Sequence, residues 1–234
     1  MSQRKITFAT GEFYHIYNRG TDKRTIIEEI PDSLRFLDCL REFNESEPIG
    51  SLYELSFKKK RAESADEPLG GKASKLVNII AYCLNTNHFH LILEQVSENG
   101  IAKFMHRVGT GYSMYFNNKN KRNGSLFQGK FKAKHIKDND CLLHLSAYVN
   151  LNDRVHQLGG LASKLIRSSW KEYTEPDIFG ISSPAIVLDQ FKNKKAYKDF
   201  ALDSLDLMLK TKDDARELNI SEVEFEKIEK DKNN

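Results

Sequence analysis

The sequence predicts an α+β chain, and three stretches carry that reading. The first is a pair of apolar runs, Leu76–Leu84 and His88–Glu94, separated by the polar residues Asn85-Thr86-Asn87. Apolar, partly β-branched runs joined by so short a polar link form two strands and a tight turn. The second is Ile101 to Asn117, where Ile101, Phe104, Met105, Val108, Tyr112, Tyr115 and Phe116 recur at helical spacing. The third is Leu126 to Lys134, whose period of two places Phe127, Gly129, Phe131 and Ala133 on one face and Gln128, Lys130, Lys132 and Lys134 on the other.

Other elements fall in around these. Phe13 to Gly20 is a first strand ending at a glycine. Pro31 and Asp32 open a helix through about Asn44, with Leu34, Leu37, Leu40 and Phe43 along one side and Phe36 adjoining. Leu52 to Phe57 has the composition of another strand, and Lys58 to Lys75 reads as a charged loop inserted before the hairpin. Gly109 and Gly111 weaken the 101–117 helix, each by ~1 kcal/mol relative to Ala. Asp138-Asn139-Asp140 caps a helix from Cys141 to about Asp153, and His144, Tyr148 and Asn152 share its polar face. Beyond Pro176 and Gly180, Ser183-Pro184 opens helical sequence that continues from Phe191 to Leu209, and Asp213 to Asn234 is a charged helix or tail. The expected division is a main domain, 1–175, and a helical, acidic appendage, 176–234.

The 234 residues, 39% hydrophobic and 29% charged, suit one well-buried core. Met1–Lys5 leads into no apolar signal core, and the longest apolar run is too short for a membrane span. The cysteines, Cys39, Cys83 and Cys141, are far apart and form no Cys-x-x-Cys, so reduced thiols in a cytoplasm are expected. Net charge is only +3, but its distribution is uneven. No acid stands between Glu98 and Asp138, a stretch holding Lys103, Arg107, Lys119, Lys121, Arg122, Lys130, Lys132, Lys134 and Lys137. Such a cationic middle fits a polyanion, and nucleic acid is the commonest one. The row Lys130, Lys132, Lys134 suits a phosphate backbone, with Gln128, Arg122 and Arg107 as further contacts; lysines guarding an edge strand are the plainer alternative.

Chemistry concentrates at the hairpin. On a strand, His88, His90, Ile92 and Glu94 point one way and Phe89, Leu91 and Leu93 the other. Two neutral imidazoles side by side can meet one divalent cation, although a bare His-x-His also suits two ordinary strand histidines. Adding Tyr148 on a polar helix face makes a set suited to phosphoryl chemistry. A cation on His88 and His90 would polarise a phosphate, a tyrosine oxygen would attack phosphorus, and the Asn152 carbonyl one turn on would complete the shell. Oxygen ligands favour Mg or Mn over structural zinc.

Here the sequence resembles a known family, the single-tyrosine HUH transposases of the REP-associated tyrosine transposase and insertion-sequence type. The matching pieces are Tyr14–Gly20, Asn87–Leu91, Tyr115-Phe116-Asn117, Leu126–Lys132 and Leu145–Asn152, in family order across roughly 11–175. The resemblance implies a ferredoxin-like antiparallel sheet flanked by helices. It implies a DNA transposase that nicks and rejoins single-stranded DNA through a 5′-phosphotyrosine, with hairpin-forming inverted repeats as a further partner. It assigns His88 and His90 as metal ligands, Tyr148 as nucleophile and Asn152 as third ligand. The chain departs from the family at Thr86 and Asp153, where proline is usual, and at Asn150, where histidine is frequent. Two other functions compete: a non-enzymatic single-strand binder with the same fold, and a metal hydrolase that uses water.

Overall fold

A computed structural model describes residues 6–57 and 74–217. The strands are β1 (Phe13–Arg19), β2 (Val77–Leu84), β3 (His88–Gln95), β4 (Lys132–His135) and β5 (Arg167–Ser168). They form one sheet in the order β4-β1-β3-β2-β5, and every pairing is antiparallel. The helices are α1 (Ile30–Glu42), α2 (52–57), α3 (Gly100–Lys119), α4 (Asn139–Asn150), α5 (Asn152–Val155), α6 (Leu161–Leu165), α7 (Trp170–Thr174), α8 (Ala185–Leu188) and α9 (Lys194–Glu217). With α1 between β1 and β2, and α3 between β3 and β4, the first four strands have the connectivity and order of a ferredoxin-like fold.

The sheet is covered on both faces. Tyr14, Ile16, Leu84, Phe89, Leu91 and Leu93 pack against Phe36 and Leu40 of α1 and Phe104, Val108 and Tyr112 of α3. On the other side Ile80, Cys83 and Ile92 meet Ala147 and Val149 of α4, Tyr173 of α7, Val187 of α8, and Tyr197 and Ala201 of α9. β2 serves both layers by alternation, and a bulge between Ile79 and Ala81 puts the consecutive residues Ile80 and Ala81 in the second layer while Ile79 and Tyr82 join the first.

Local chemistry explains the helix starts. Glu29 and Asp32 form a reciprocal capping box at α1, with Pro31 in its first turn. Asp32 is also tied to α3, taking Lys119 Nζ at 2.7 Å and the Tyr115 hydroxyl at 3.0 Å. Burial alone would raise this carboxyl; Lys119, the Glu28 and Glu29 amides and Tyr115 outweigh it and hold the pKa below the ordinary value. The Asp138 side chain caps α4, accepting from Cys141 N at 2.8 Å.

Four expectations need correction. Residues 52–57 are helical, because Ser51 and Glu54 make a second reciprocal box, Glu54 N to Ser51 Oγ at 3.1 Å and Ser51 N to Glu54 Oε2 at 3.0 Å. The long basic strand is only Lys132–His135; Gly129 at φ +70° turns the chain, and Phe127 makes a single bridge to Gly20. Leu34 is exposed, and the buried stripe of α1 is Phe36, Cys39 and Leu40. The helix carrying Tyr148 breaks at Leu151, so Asn152 begins α5. The expected loop 58–75 lies outside the described residues except at its end, as does the tail beyond 217. No helix among the described residues is long and apolar enough to cross a membrane.

The two α3 glycines are not equivalent. A Cβ at Gly109 meets nothing within 4 Å, whereas one at Gly111 would stand 2.5 Å from Phe43 Cε2. Gly109→Ala is expected to raise stability by about 0.5–1 kcal/mol through helix propensity. Gly111→Ala forces the buried Phe43 ring to move, at a cost of about 1–3 kcal/mol that outweighs the same gain. Urea unfolding midpoints of the two variants check the opposite signs.

Candidate active site

The pairing of β1 with β3 assembles the site. Arg19 lies opposite His88, Tyr17 opposite His90 and His15 opposite Ile92. Cross-strand partners share a face, so His15, Tyr17, His88 and His90 stand together on the side that α4 covers. The His90 ring stacks on His15 and Tyr17, with centroids 5.1 and 5.7 Å away. From α4, Tyr148 sets its ring edge-on to His90 at 5.6 Å and to His15 at 6.4 Å. His88 stands edge-on between His90 and His156, 5.2 Å from each.

Hydrogen bonds fix the ring nitrogens. Asn87 Nδ2 donates to Lys23 O at 3.3 Å, which turns Asn87 Oδ1 toward His88 Nδ1 at 2.6 Å. An amide oxygen only accepts, so Nδ1 carries the proton and Nε2 holds the lone pair. That lone pair is 3.0 Å from Oδ1 of the fully buried Asn152. Asn85 Nδ2 lies beside both, 2.8 Å from His88 Nε2 and 2.6 Å from Asn152 Oδ1. His90 Nδ1 meets His15 Nε2 at 2.9 Å; when Nδ1 is the donor, Nε2 of His90 keeps the lone pair that a cation needs.

These donors fit a divalent ion. Two ligand atoms bound at about 2.1 Å and at right angles are about 3.0 Å apart, the spacing of His88 Nε2 and Asn152 Oδ1. The amide oxygen suits Mg or Mn, and neutral imidazole is a ligand for many divalent metals. His88, His90 and Asn152 are the residues that would hold it.

The basic residues separate into two groups. Lys132 and Lys134 lie opposite Tyr17 and His15 on the histidine face, with Lys132 Nζ 5.8 Å over the Tyr17 ring. Gln128 joins them through Arg19, whose Nε donates to Gln128 Oε1 at 2.6 Å. Lys130 instead lines a groove between the 124–131 segment and α3. Arg122 lies over the Phe116 ring of α3, and Arg107 donates to the carbonyls of Glu45 and Ser46. Both arginines are thus engaged on the α3 side of the sheet, away from the histidines.

The other polar groups of the α4 face divide as well. His144 is exposed and lies tilted against Phe200, ring centroids 5.1 Å apart. Glu94 accepts from Asn78 rather than from an imidazole. Three neighbours of the site are absent from the sequence-derived set: His15, Asn85 and His156. The Tyr14–Tyr17 alternation puts His15 on the polar face of β1, but only the strand register brings it to His90.

His90 is 8% exposed, and burial, with His15, His88 and His156 adding to it, holds its pKa well below the ordinary histidine value. The unfolded chain protonates this residue near pH ~6.5, while the folded one keeps it neutral. Its contribution to stability is therefore full above about pH 6.5 and is lost as pH falls toward the folded pKa. Urea titrations at a series of pH values should show part of this acid loss disappearing in His90→Gln; an unchanged slope would place the pH dependence elsewhere.

Residues 57–152 match the family described as "Transposase IS200 like". No curated protein matches the chain. A solved structure of a REP-associated tyrosine transposase bound to a REP hairpin is similar at 14% identity and a TM-score of 0.45, covering 78% of this chain and 91% of that one. The family match spans β2 to α4 and takes in His88, His90, Tyr148 and Asn152. Over residues 57–152, two-fifths of its length, the chain is similar to the IS200-like transposases.

Proposed function

We propose that this protein cleaves and rejoins single-stranded DNA, with Tyr148 as nucleophile and Mg or Mn as cofactor. The observation that carries the proposal is the meeting of Tyr148 with His90 on a face that also holds His88, Asn152, Lys132 and Lys134. A bound divalent ion would polarise the scissile phosphate and offset its developing charge.

The chain's own residues do the rest. Tyr148 loses its proton, and its oxygen bonds to phosphorus as the P–O3′ bond breaks. The departing oxygen gains a proton and leaves as a 3′-hydroxyl, while the 5′-phosphate stays on the tyrosine. The bond formed is again a phosphoester, so the reverse attack by a 3′-hydroxyl rejoins DNA without a nucleotide cofactor. Tyr148 works from a helix packed on the sheet, which limits its motion relative to the histidines. Lys132 and Lys134, with Gln128 beside them, hold the strand's phosphates. We read 1–175 as the catalytic unit and 176–234 as an appendage, whose α8 and α9 pack on α4. Hairpin-forming inverted repeats in cytoplasmic DNA are the substrate this reading favours.

Tyr148→Phe should fold and bind single-stranded DNA but form no covalent adduct. Tyr112 and Tyr115 bond Ile26 O and Asp32 on the α3 side, so their Phe variants should still form one. A denaturing gel with labelled oligonucleotide reads all three; a protein–DNA band from Tyr148→Phe would remove the nucleophile, and a metal hydrolase that uses water would give cleavage with no band in any of them.

Affinity should reside in the lysines. Each phosphate contact on a single strand contributes roughly −0.7 to the slope of log K against log salt. Lys132→Ala with Lys134→Ala should flatten that slope by up to about 1.4, measured by fluorescence anisotropy. Arg107→Ala should leave it unchanged.

A further inference from the structure

Asn85 has no role in the reading above, yet it is in direct contact with two of the groups assigned to the metal. Its side chain is completely buried. Its backbone N–H donates to His88 O at 2.9 Å, so the same tight turn carries Asn85 and His88. Together Asn85 Nδ2, His88 Nε2 and Asn152 Oδ1 form a triangle with edges of 2.8, 2.6 and 3.0 Å. One face of an octahedron with bonds of about 2.0–2.1 Å has edges of about 2.9 Å. The triangle is close to that face, but one corner is a nitrogen that can only donate.

We propose that Asn85 is a third ligand on this face, and that a half-turn of its amide presents Oδ1 to the cation shared by His88 and Asn152. The inference rests on the metal reading of the preceding section. In the arrangement described, the two amide hydrogens of Asn85 point at the lone pairs of His88 Nε2 and Asn152 Oδ1. An imidazole Nε2 has one lone pair, so a cation and the Asn85 N–H compete for it. A half-turn removes that competition and exchanges a donor for an oxygen. The half-turn gives up the long 3.5 Å contact from Cys83 Sγ and the two Nδ2 bonds to His88 Nε2 and Asn152 Oδ1, and a cation between these groups takes the place of the two donor hydrogens. Without a cation the turned state is unfavourable, because the oxygens of Asn85 and Asn152 would face each other. Cation binding and amide rotation are therefore coupled. The resulting set, two amide oxygens beside the imidazoles of His88 and His90, has a larger share of the hard oxygen ligands that Mg and Mn prefer.

A purely structural Asn85 makes the opposite demand. If its only work is to donate to His88 and Asn152, aspartate is as bad as alanine, since ionised aspartate has no hydrogen to give. If it is a ligand, aspartate keeps the oxygen and adds charge. The test is Mn binding by the full-length chain, measured by calorimetry, for the wild type, N85A, N85D and His88→Ala. The expected result is a loss of at least about tenfold in N85A, the lower end of what even an outer partner of a ligand is worth. N85D should bind Mn at least as tightly as wild type and gain more thermal stability from it. Single-stranded DNA binding without metal should be unchanged in both. If N85A does not fold, N85L, which fills the space and offers no oxygen, takes its place. The proposal is overturned if N85D weakens with N85A, or if neither changes affinity. His88→Ala with wild-type Mn affinity would overturn the metal reading itself; loss in His88→Ala with no loss in N85A would overturn only the role of Asn85.

Discussion

The register between β1 and β3 is the constraint on which the site depends. Side chains alternate with a period of two, so a slip of one residue would carry His15 and Tyr17 to the opposite face and bring Tyr14 and Ile16 to the histidines. Tyr14 and Ile16 are 2% and 0% exposed, and Leu91 and Leu93 beside them are equally buried, so the core itself forbids the slip. The end of the pair is fixed separately. Gly20 N bonds Asn87 O at 2.8 Å, and the Thr86 carbonyl accepts from both Ile26 and Ile27. What this turn needs from residue 86 is a carbonyl, which proline would also supply. The departure at Thr86 is therefore compatible with the turn that places His88.

The second requirement is that α4 hold Tyr148 over those strands, and here the C-terminal segment contributes. Ser146 and Asn150 flank Tyr148, and both meet the buried Tyr197 hydroxyl of α9. Ser146 Oγ already donates to Leu143 O, so the hydroxyl donates to Ser146 at 3.1 Å and accepts from Asn150 Nδ2 at 2.9 Å. Asn150 Oδ1 in turn accepts from Ser169 Oγ, which accepts from Tyr82 N of β2 at 3.0 Å. Burial, only partly countered by the bonds with Ser146 and Asn150, pushes the Tyr197 phenol up to about 12, so it works as a neutral donor and acceptor. A satisfied buried network of this kind fixes one arrangement of the elements it joins. It links α9, α4 and the strand next to β3. Asn150, at the position where the family often has histidine, is thus a structural joint of this chain.

Elements governed by local chemistry were legible in the sequence. The hairpin, the division of β3 into an apolar and a histidine face, the α3 stripe and the Asp138 cap all follow from periodicity and turn residues. Where the structure departs from the periodicity, a local signal decides the outcome. The Ser51–Glu54 box outweighs the strand-like composition of 52–57, and the left-handed Gly129 ends a period-two pattern that looks continuous on paper. His15 and His156 are out of reach for a different reason: they come from β1 and the segment after α5, and only tertiary contacts bring them to His88 and His90, whereas Asn85 stands in the same turn as His88 and it is its contact with Asn152 that is tertiary. Arg107 illustrates the converse: its charge was legible, but its bonds to Glu45 and Ser46 carbonyls were not.

Chemistry can occupy this end of the sheet because the core runs out there. A sheet covered on both faces tends to carry apolar residues throughout. Along one face of β3, however, His88 is half-buried, His90 is 8% exposed, Ile92 is fully buried and Glu94 is half-buried again. Ile92 belongs to the apolar layer beneath α4 and α9; the histidines lie where that layer thins toward the turn. The gradient gives the two imidazoles different environments. His88 is partly open to solvent, while His90 is kept neutral by burial and held by His15. Electrostatic interactions strengthen as water is excluded, so the charges of Lys132 and Lys134 act from the open rim on groups set just inside it. A site deeper in the sheet would be closed to any large substrate, and one farther out would lose the packing that holds Tyr148 against His90.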